Sequence, residues 1–165
     1  MRKCLYMICP TDQLESAINA RFEGHNYFYT TLGNTLILDK NTVGQIVALL
    51  DKNSIREITF ILSEDNCIVL DALKNQHFLT INGLNGPYAH LQKHKKHVLS
   101  SWDAEHQHTL ILSHHLNQKI KELKAGLQGL LTTPPLINGK LFSVHTKDFR
   151  PIHSDLVCMY SGNLS

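Results

Sequence analysis

Residues 56–73 read REITFILSEDNCIVLDAL, and the fold is decided in that run. Ile58 to Leu62 is almost uniformly apolar, the pattern of a parallel strand covered on both faces. It stops at Ser63-Glu64-Asp65-Asn66 and resumes over about Cys67 to Lys74 as an apolar helix. Strand, polar turn and helix form the repeating unit of α/β sheets, in which ligands sit beyond the carboxyl ends of the strands. The polar turn is therefore the place to look for chemistry.

Upstream, Lys3 to Ile8 reads as a first strand, closed by Cys9-Pro10-Thr11-Asp12. Thr11 or Asp12 is placed to cap a helix over about Gln13 to Glu23, where Leu14, Ala17, Ile18 and Phe22 share one face. Tyr27 to Thr31 is rich in strand formers and breaks at Gly33-Asn34. Asn41 or Thr42 then caps an amphipathic helix carrying Val43, Ile46, Val47 and Leu50. Downstream, Phe78 to Ile81 reads as a fourth strand, Asn82 to Pro87 as a turn, and Tyr88 to Ser101 as a helix. Leu112, Leu116, Ile120, Leu123, Leu127 and Leu130 hold a helical period, which predicts one long helix from somewhere in Glu105 to Thr109 to a stop before Pro134-Pro135. Gly139 to Val144 and Leu156 to Tyr160 read as edge strands. The alternation predicts a single α/β domain over residues 1–165, with a mainly parallel central sheet flanked by helices.

Composition narrows the function. With 165 residues, 42% hydrophobic and 18% charged, the chain has an ordinary globular composition. A net charge of +2 with scattered basic residues argues against a nucleic-acid partner. No run approaches the roughly 18 apolar residues of a membrane span. The basic then apolar start, Met1 to Ile8, is too short for a signal peptide, so a cytoplasmic protein is expected. The four cysteines form no CxxC pair, and Cys4 and Cys158 read as small buried hydrophobes. Among the eleven histidines, His90, His94 and His97 share a helical face, but the interleaved Lys93, Lys95 and Lys96 make it a solvated basic face rather than a metal site. His106, His108, His114 and His115 read as surface residues. Phosphate-cradling GxGxxG and GxxxxGK[ST] motifs and the GxSxG elbow are all absent.

Setting the first and third strands side by side brings Cys9 and the Ser63–Cys67 turn to one crevice. Asp12, Glu64 and Asp65 lie close in sequence to those cysteines, and Asn34 faces the crevice from the turn of the strand between. Two thiolates with one or two oxygen or nitrogen ligands describe a zinc site.

This arrangement resembles the β-class carbonic anhydrases. That family has Cys-x-Asp-x-Arg after its first strand, an Ala-Gly-Asn turn after the second and Gly-His-x-x-Cys-Gly after the third. The matching stretches here are Cys9-Pro10-Thr11-Asp12-Gln13, Leu32-Gly33-Asn34 and Ser63-Glu64-Asp65-Asn66-Cys67-Ile68, at intervals like those of the family. The Ile55-Arg56-Glu57-Ile58 lead-in, the long helix before Thr133-Pro134-Pro135 and a late strand at Lys140 to Val144 extend the likeness over nearly the whole chain.

The resemblance implies a zinc cofactor on Cys9, Cys67 and Glu64, with Asp12 as substitute ligand or catalytic carboxylate, and Thr11, Gln13, Asn34 and Asp65 lining the crevice. It implies CO2 and bicarbonate as the small-molecule partners and a homodimer as the assembly. The departures point the other way. Glu64 stands where the family has its zinc-binding histidine, and Thr11 and Gln13 stand where it has an aspartate–arginine pair. Asp12 is one residue off, Ile68 replaces a glycine, and threonine (Thr30 or Thr31) replaces a second-strand arginine. The first strand begins almost at Met1, so the N-terminal helical arm that family members wrap around a partner subunit is expected to be missing. A glutamate ligand adds negative charge to the metal and makes it a poorer Lewis acid, so bound water keeps its proton. The expectation is a degraded zinc site with weak or absent CO2 hydration. The alternative is a non-catalytic ligand-binding or assembly module on the same fold. A third reading is an unrelated α/β domain in which Cys9 and Cys67 are merely buried.

Overall fold

The computed structural model describes residues 1–98 and 104–154. Its frame is the apolar runs just quoted: β1 (Lys3–Ile8) and β3 (Glu57–Ser63) pair in parallel at the centre, with Cys4 opposite Glu57 and Met7 opposite Phe60. Outside β1 lies β2 (His25–Thr30), also parallel. β4 (Leu136–Ser143) pairs in parallel with β3, and β5 (Asp148–Pro151) turns back antiparallel to β4. The five-stranded order is β2-β1-β3-β4-β5.

Alternation along the strands divides the core between the two faces of the sheet. Leu5, Met7, Phe60 and Leu62 face α2 (Lys40–Asn53), α3 (Cys67–Leu73), α4 (Asn85–Val98) and α5 (Ala104–Leu127). Cys4, Tyr6, Ile8 and Ile61 face a smaller layer built from α1 (Glu15–Arg21), Leu14 and the Phe22, Phe28, Phe142 and Phe149 rings. Both faces are covered, which is why β3 is mostly apolar between Ile58 and Leu62. Among the described residues no helix is long and apolar enough to cross a membrane.

Several local expectations change. Phe78 to Ile81 is a chain of turns, not a strand. The Asp71 carboxylate takes the His77 and Phe78 N–H groups at 2.8 and 2.9 Å, so those donors are unavailable to a ladder. Asp39, rather than Asn41 or Thr42, caps α2 by accepting from Thr42 N–H at 2.8 Å. Thr11 and Asp12 lie in a short 3-10 turn, and α1 starts beyond them without a side-chain cap. β4 is interior, because β5 covers its outer side. His115 is buried, not a surface residue. Ser101, Cys158 and the strand expected over Leu156 to Tyr160 lie outside the described residues.

Candidate functional site

The crevice forms where β1 and β3 end. Cys9 leaves β1 in an extended conformation and Pro10 starts the 3-10 turn that follows, so the Cys9 side chain stays in the sheet layer, fully buried. Its sulfur accepts from the Gly33 N–H at 3.1 Å and lies 3.0 Å from the Thr11 hydroxyl. Gly33 sits in the left-handed region at φ 61°, and a Cβ there would come within 2.9 Å of the Ile68 side chain. Only glycine meets both conditions. Ile68, the second residue of α3, thus packs onto the turn holding Cys9.

The same turn is tied from behind. The Gly33 carbonyl accepts from His115 Nε2 at 2.7 Å. Burial lowers the His115 pKa to about 4, against the partial support of that hydrogen bond, so the ring is neutral near pH 7. Asn34 donates from its amide nitrogen to the Ile61 carbonyl at 2.8 Å, and its buried Oδ1 makes no hydrogen bond among the described residues.

Asp12 turns inward. One carboxylate oxygen accepts from the Ser63 N–H at 2.9 Å and the other from the Asn66 amide at 2.9 Å. Burial pushes this carboxyl above the usual range, the two donors pull it back, and the Asp65 charge adds to the rise. Asn66 also caps α3, its Oδ1 accepting from Val69 N–H at 3.0 Å. Asp65 is exposed and accepts the Ser63 hydroxyl proton. Gln13 is exposed, with left-handed backbone at φ 51°.

Glu64 turns outward. Its carboxylate meets the Arg150 guanidinium of β5 at 2.6 Å, its N–H donates to the Phe142 carbonyl at 2.9 Å, and its carbonyl accepts from His108 Nε2. Cys67 is the first residue of α3 and is exposed.

Of the expected site residues, Cys9, Thr11 and Asn34 gather around the Gly33 turn, and Asp12 joins the Ser63–Asn66 segment. Glu64 is engaged on the β5 side. A zinc centre needs at least three converging donors. Among the described residues no three His, Cys, Asp or Glu side chains converge in that way. With both candidate carboxylates already taken by other partners, the donors as placed do not fit a bound zinc ion. The sequence reading missed His108, Arg150 and His115. Only His115 left a signal: it lies three residues beyond Leu112 and one before Leu116, inside the apolar stripe of α5.

No protein-family model and no curated protein sequence matches the chain. Solved structures do. The β-carbonic anhydrase CafA of Aspergillus fumigatus superposes with a TM-score of 0.72 at 12% identity, over 98% of this chain and 81% of its own. The Coccomyxa β-carbonic anhydrase solved with acetazolamide gives 0.70 at 14%, over 99% and 85%. A tetrameric β-carbonic anhydrase from Sordaria macrospora gives 0.67 at 14%, over 93% and 81%. Identities this low establish likeness of architecture and not of chemistry. With superpositions of this extent over nearly the whole chain, its mostly parallel five-stranded sheet and flanking helices have the fold of the β-class carbonic anhydrases.

Proposed function

We propose that this chain is a divergent β-carbonic-anhydrase-fold protein with a degraded zinc site, in which CO2 hydration is weak or absent. The observation that carries the reading is Glu64. By the motif resemblance it stands where the family has its histidine ligand, and its carboxylate is paired with Arg150 at 2.6 Å. To reach a metal it would have to give up that ion pair and bring a negative charge with it. Asp12, the substitute ligand, would have to release the Ser63 N–H and the Asn66 amide. Leaving those donors unpaired costs about 1–3 kcal/mol each.

What remains is a fold suited to a non-catalytic role in assembly or ligand binding. A homodimer is the assembly expected from the resemblance. The outer side of β2, an edge strand unpaired among the described residues, supports that expectation, as does the tetrameric state named for the Sordaria macrospora enzymes.

Cobalt substitution tests the metal, because cysteine ligation gives a thiolate-to-cobalt charge-transfer band. The wild type is expected to lack that band and to hydrate CO2 slowly, only at alkaline pH, in a stopped-flow assay. Glu64→His is expected to create the band. A wild-type protein with the band and full hydration at neutral pH overturns the proposal.

A further inference from the structure

α3 begins beside the Cys9 crevice at Cys67 and ends at Leu73, where the surface changes character. Residues 72–98 hold four of the chain's 16 Lys and Arg residues, all of them lysine, and none of its 14 Asp and Glu. The stretch is therefore +4 in a chain that is +2 overall.

An apolar tip and these lysines meet at the end of α3. The Asp71 carboxylate ties down the loop that follows, through the His77 and Phe78 N–H groups. Three successive tight turns then carry the chain towards α4, with N–H groups of Leu79, Ile81 and Leu84 donating to the carbonyls of Gln76, Phe78 and Ile81. So tight a path buries Leu84 but leaves Phe78, Leu79 and Ile81 38%, 40% and 39% exposed. Gly83 brings the loop against Ile37, itself 61% exposed: a Cβ on Gly83 would lie 3.4 Å from that side chain. From the other side, Gln92 and Lys95 of α4 donate to the Ala72 and Leu73 carbonyls at 2.6 and 2.7 Å. Lys74 follows Leu73 directly and Lys96 follows Lys95; both are exposed, as is Lys93. The acids bordering this surface are already engaged. Asp71 is 8% exposed and also accepts from the Tyr88 hydroxyl, and Asp39, near Ile37 and Gly83, caps α2.

We propose that this surface docks the protein on an anionic lipid bilayer, with Phe78, Leu79 and Ile81 entering the headgroup region and Lys74, Lys93 and Lys96 facing the lipid phosphates. Burial of an apolar tip and attraction of adjacent lysines to anionic headgroups act together at such an interface. The lysine stems are long enough to keep the ammonium groups at headgroup level while the tip goes deeper. The charge pattern disfavours other occupants. A second copy would set lysines against lysines around the apolar tip, and like charges face to face oppose association. A nucleic acid is held best by arginine forks and stacked aromatic rings. This stretch has no arginine, and of Phe78 and Tyr88 only Phe78 is exposed.

The test is vesicle flotation of the full chain, with mixed phosphatidylglycerol–phosphatidylcholine vesicles and with pure phosphatidylcholine vesicles, at low and high salt. The wild type is expected to float with the anionic vesicles at low salt, to leave them at high salt and to ignore pure phosphatidylcholine. Lys74→Gln/Lys96→Gln is expected to weaken binding by about tenfold or more, at about fivefold per lysine. Phe78→Ser/Ile81→Ser, which keeps the charge, is expected to weaken it by about tenfold. Lys52→Gln/Lys124→Gln removes the same charge from exposed lysines elsewhere and is expected to stay within about twofold of the wild type. All the substituted side chains are exposed, so each variant should keep the wild-type Tm. No flotation at low salt, equal flotation with pure phosphatidylcholine, unchanged binding in either patch variant, or an equal loss in Lys52→Gln/Lys124→Gln would each overturn the proposal. So would a dimer in sedimentation, or tight binding of a single-stranded oligonucleotide, that Phe78→Ser/Ile81→Ser abolishes, since either gives the surface to another occupant. None of these measurements involves the Cys9 crevice, so this proposal and the reading of a degraded zinc site fail separately.

Discussion

The two loops that make the crevice are held in opposite ways. The Cys9–Gln13 loop is fixed from inside: Gly33 and Thr11 hold the buried sulfur, Ser63 and Asn66 hold Asp12, and His115 backs the Gly33 turn. The Ser63–Cys67 loop is fixed at Glu64 from outside, by an arginine on the last strand and a histidine on α5. In sequence the two loops look alike, each a polar break after a strand with a cysteine and acids. Burial separates them. The inward loop uses its polar groups as structure, whereas the outward one spends its charge on a partner that solvent also reaches.

Four experiments press on that contrast. The largest effect is expected at His115. Its pKa falls from 6.5 in the unfolded chain to about 4 in the fold, chiefly through burial. The unfolded chain therefore takes up the proton first as pH drops. The stability tied to the neutral ring is complete above about pH 6.5 and is lost as the pH falls to about 4, a total of about 3 kcal/mol. Urea midpoints against pH should follow that slope, and His115→Gln should flatten it. An unchanged slope in the variant would mean that the inward loop has no such support.

Next is Asp12→Ala, which strands the Ser63 N–H and the Asn66 amide and should lower the unfolding free energy by about 2 kcal/mol. Asp12→Asn, keeping an acceptor oxygen, should recover part of the loss. Smaller still, Cys9→Ala should cost about 1–2 kcal/mol, against less than about 0.5 kcal/mol for the exposed Cys67→Ala. Thiol labelling with peptide mapping should agree, with Cys67 modified in the folded protein and Cys4 and Cys9 only after unfolding. A small effect is also expected from Arg150→Ala. Its ion pair with Glu64 is half open to solvent, with the side chains 58% and 25% exposed, so the loss should stay below about 1 kcal/mol. A loss as large as that at Asp12 would erase the distinction between the loops.

The sheet was legible because its information is local. Largely apolar runs at Lys3–Ile8 and Ile58–Leu62, each followed by a turn and a helical period, point to parallel strands. The adjacency of β1 and β3, and with it the meeting of the Cys9 and Ser63 loops, followed from that. Phe78–Ile81 misled because a run of strand formers says nothing of where its amides go, and Asp71 takes two of those near its start. The direction of Glu64 was illegible for a similar reason. Its partner Arg150 is 86 residues away, and no pattern within the loop encodes it. His115 looked polar and therefore superficial, although its place in the α5 stripe puts it under the Gly33 turn.

The position of β4 and β5 after α5 also sets an order of assembly. Cys9, Gly33, Asp12, Ser63 and Asn66, which lock the inward loop to its neighbours, are all made within the first 66 residues. The outward loop waits for Phe142 and Arg150, after α5 has been synthesised and β4 has found β3. Closing that long stretch of chain is the slower step, because distant pairings carry the larger loop entropy. On a ribosome, then, one side of the crevice can acquire its native hydrogen bonds while Glu64 still stands in water without its arginine. Strands β4 and β5, emerging later, turn that acid outward.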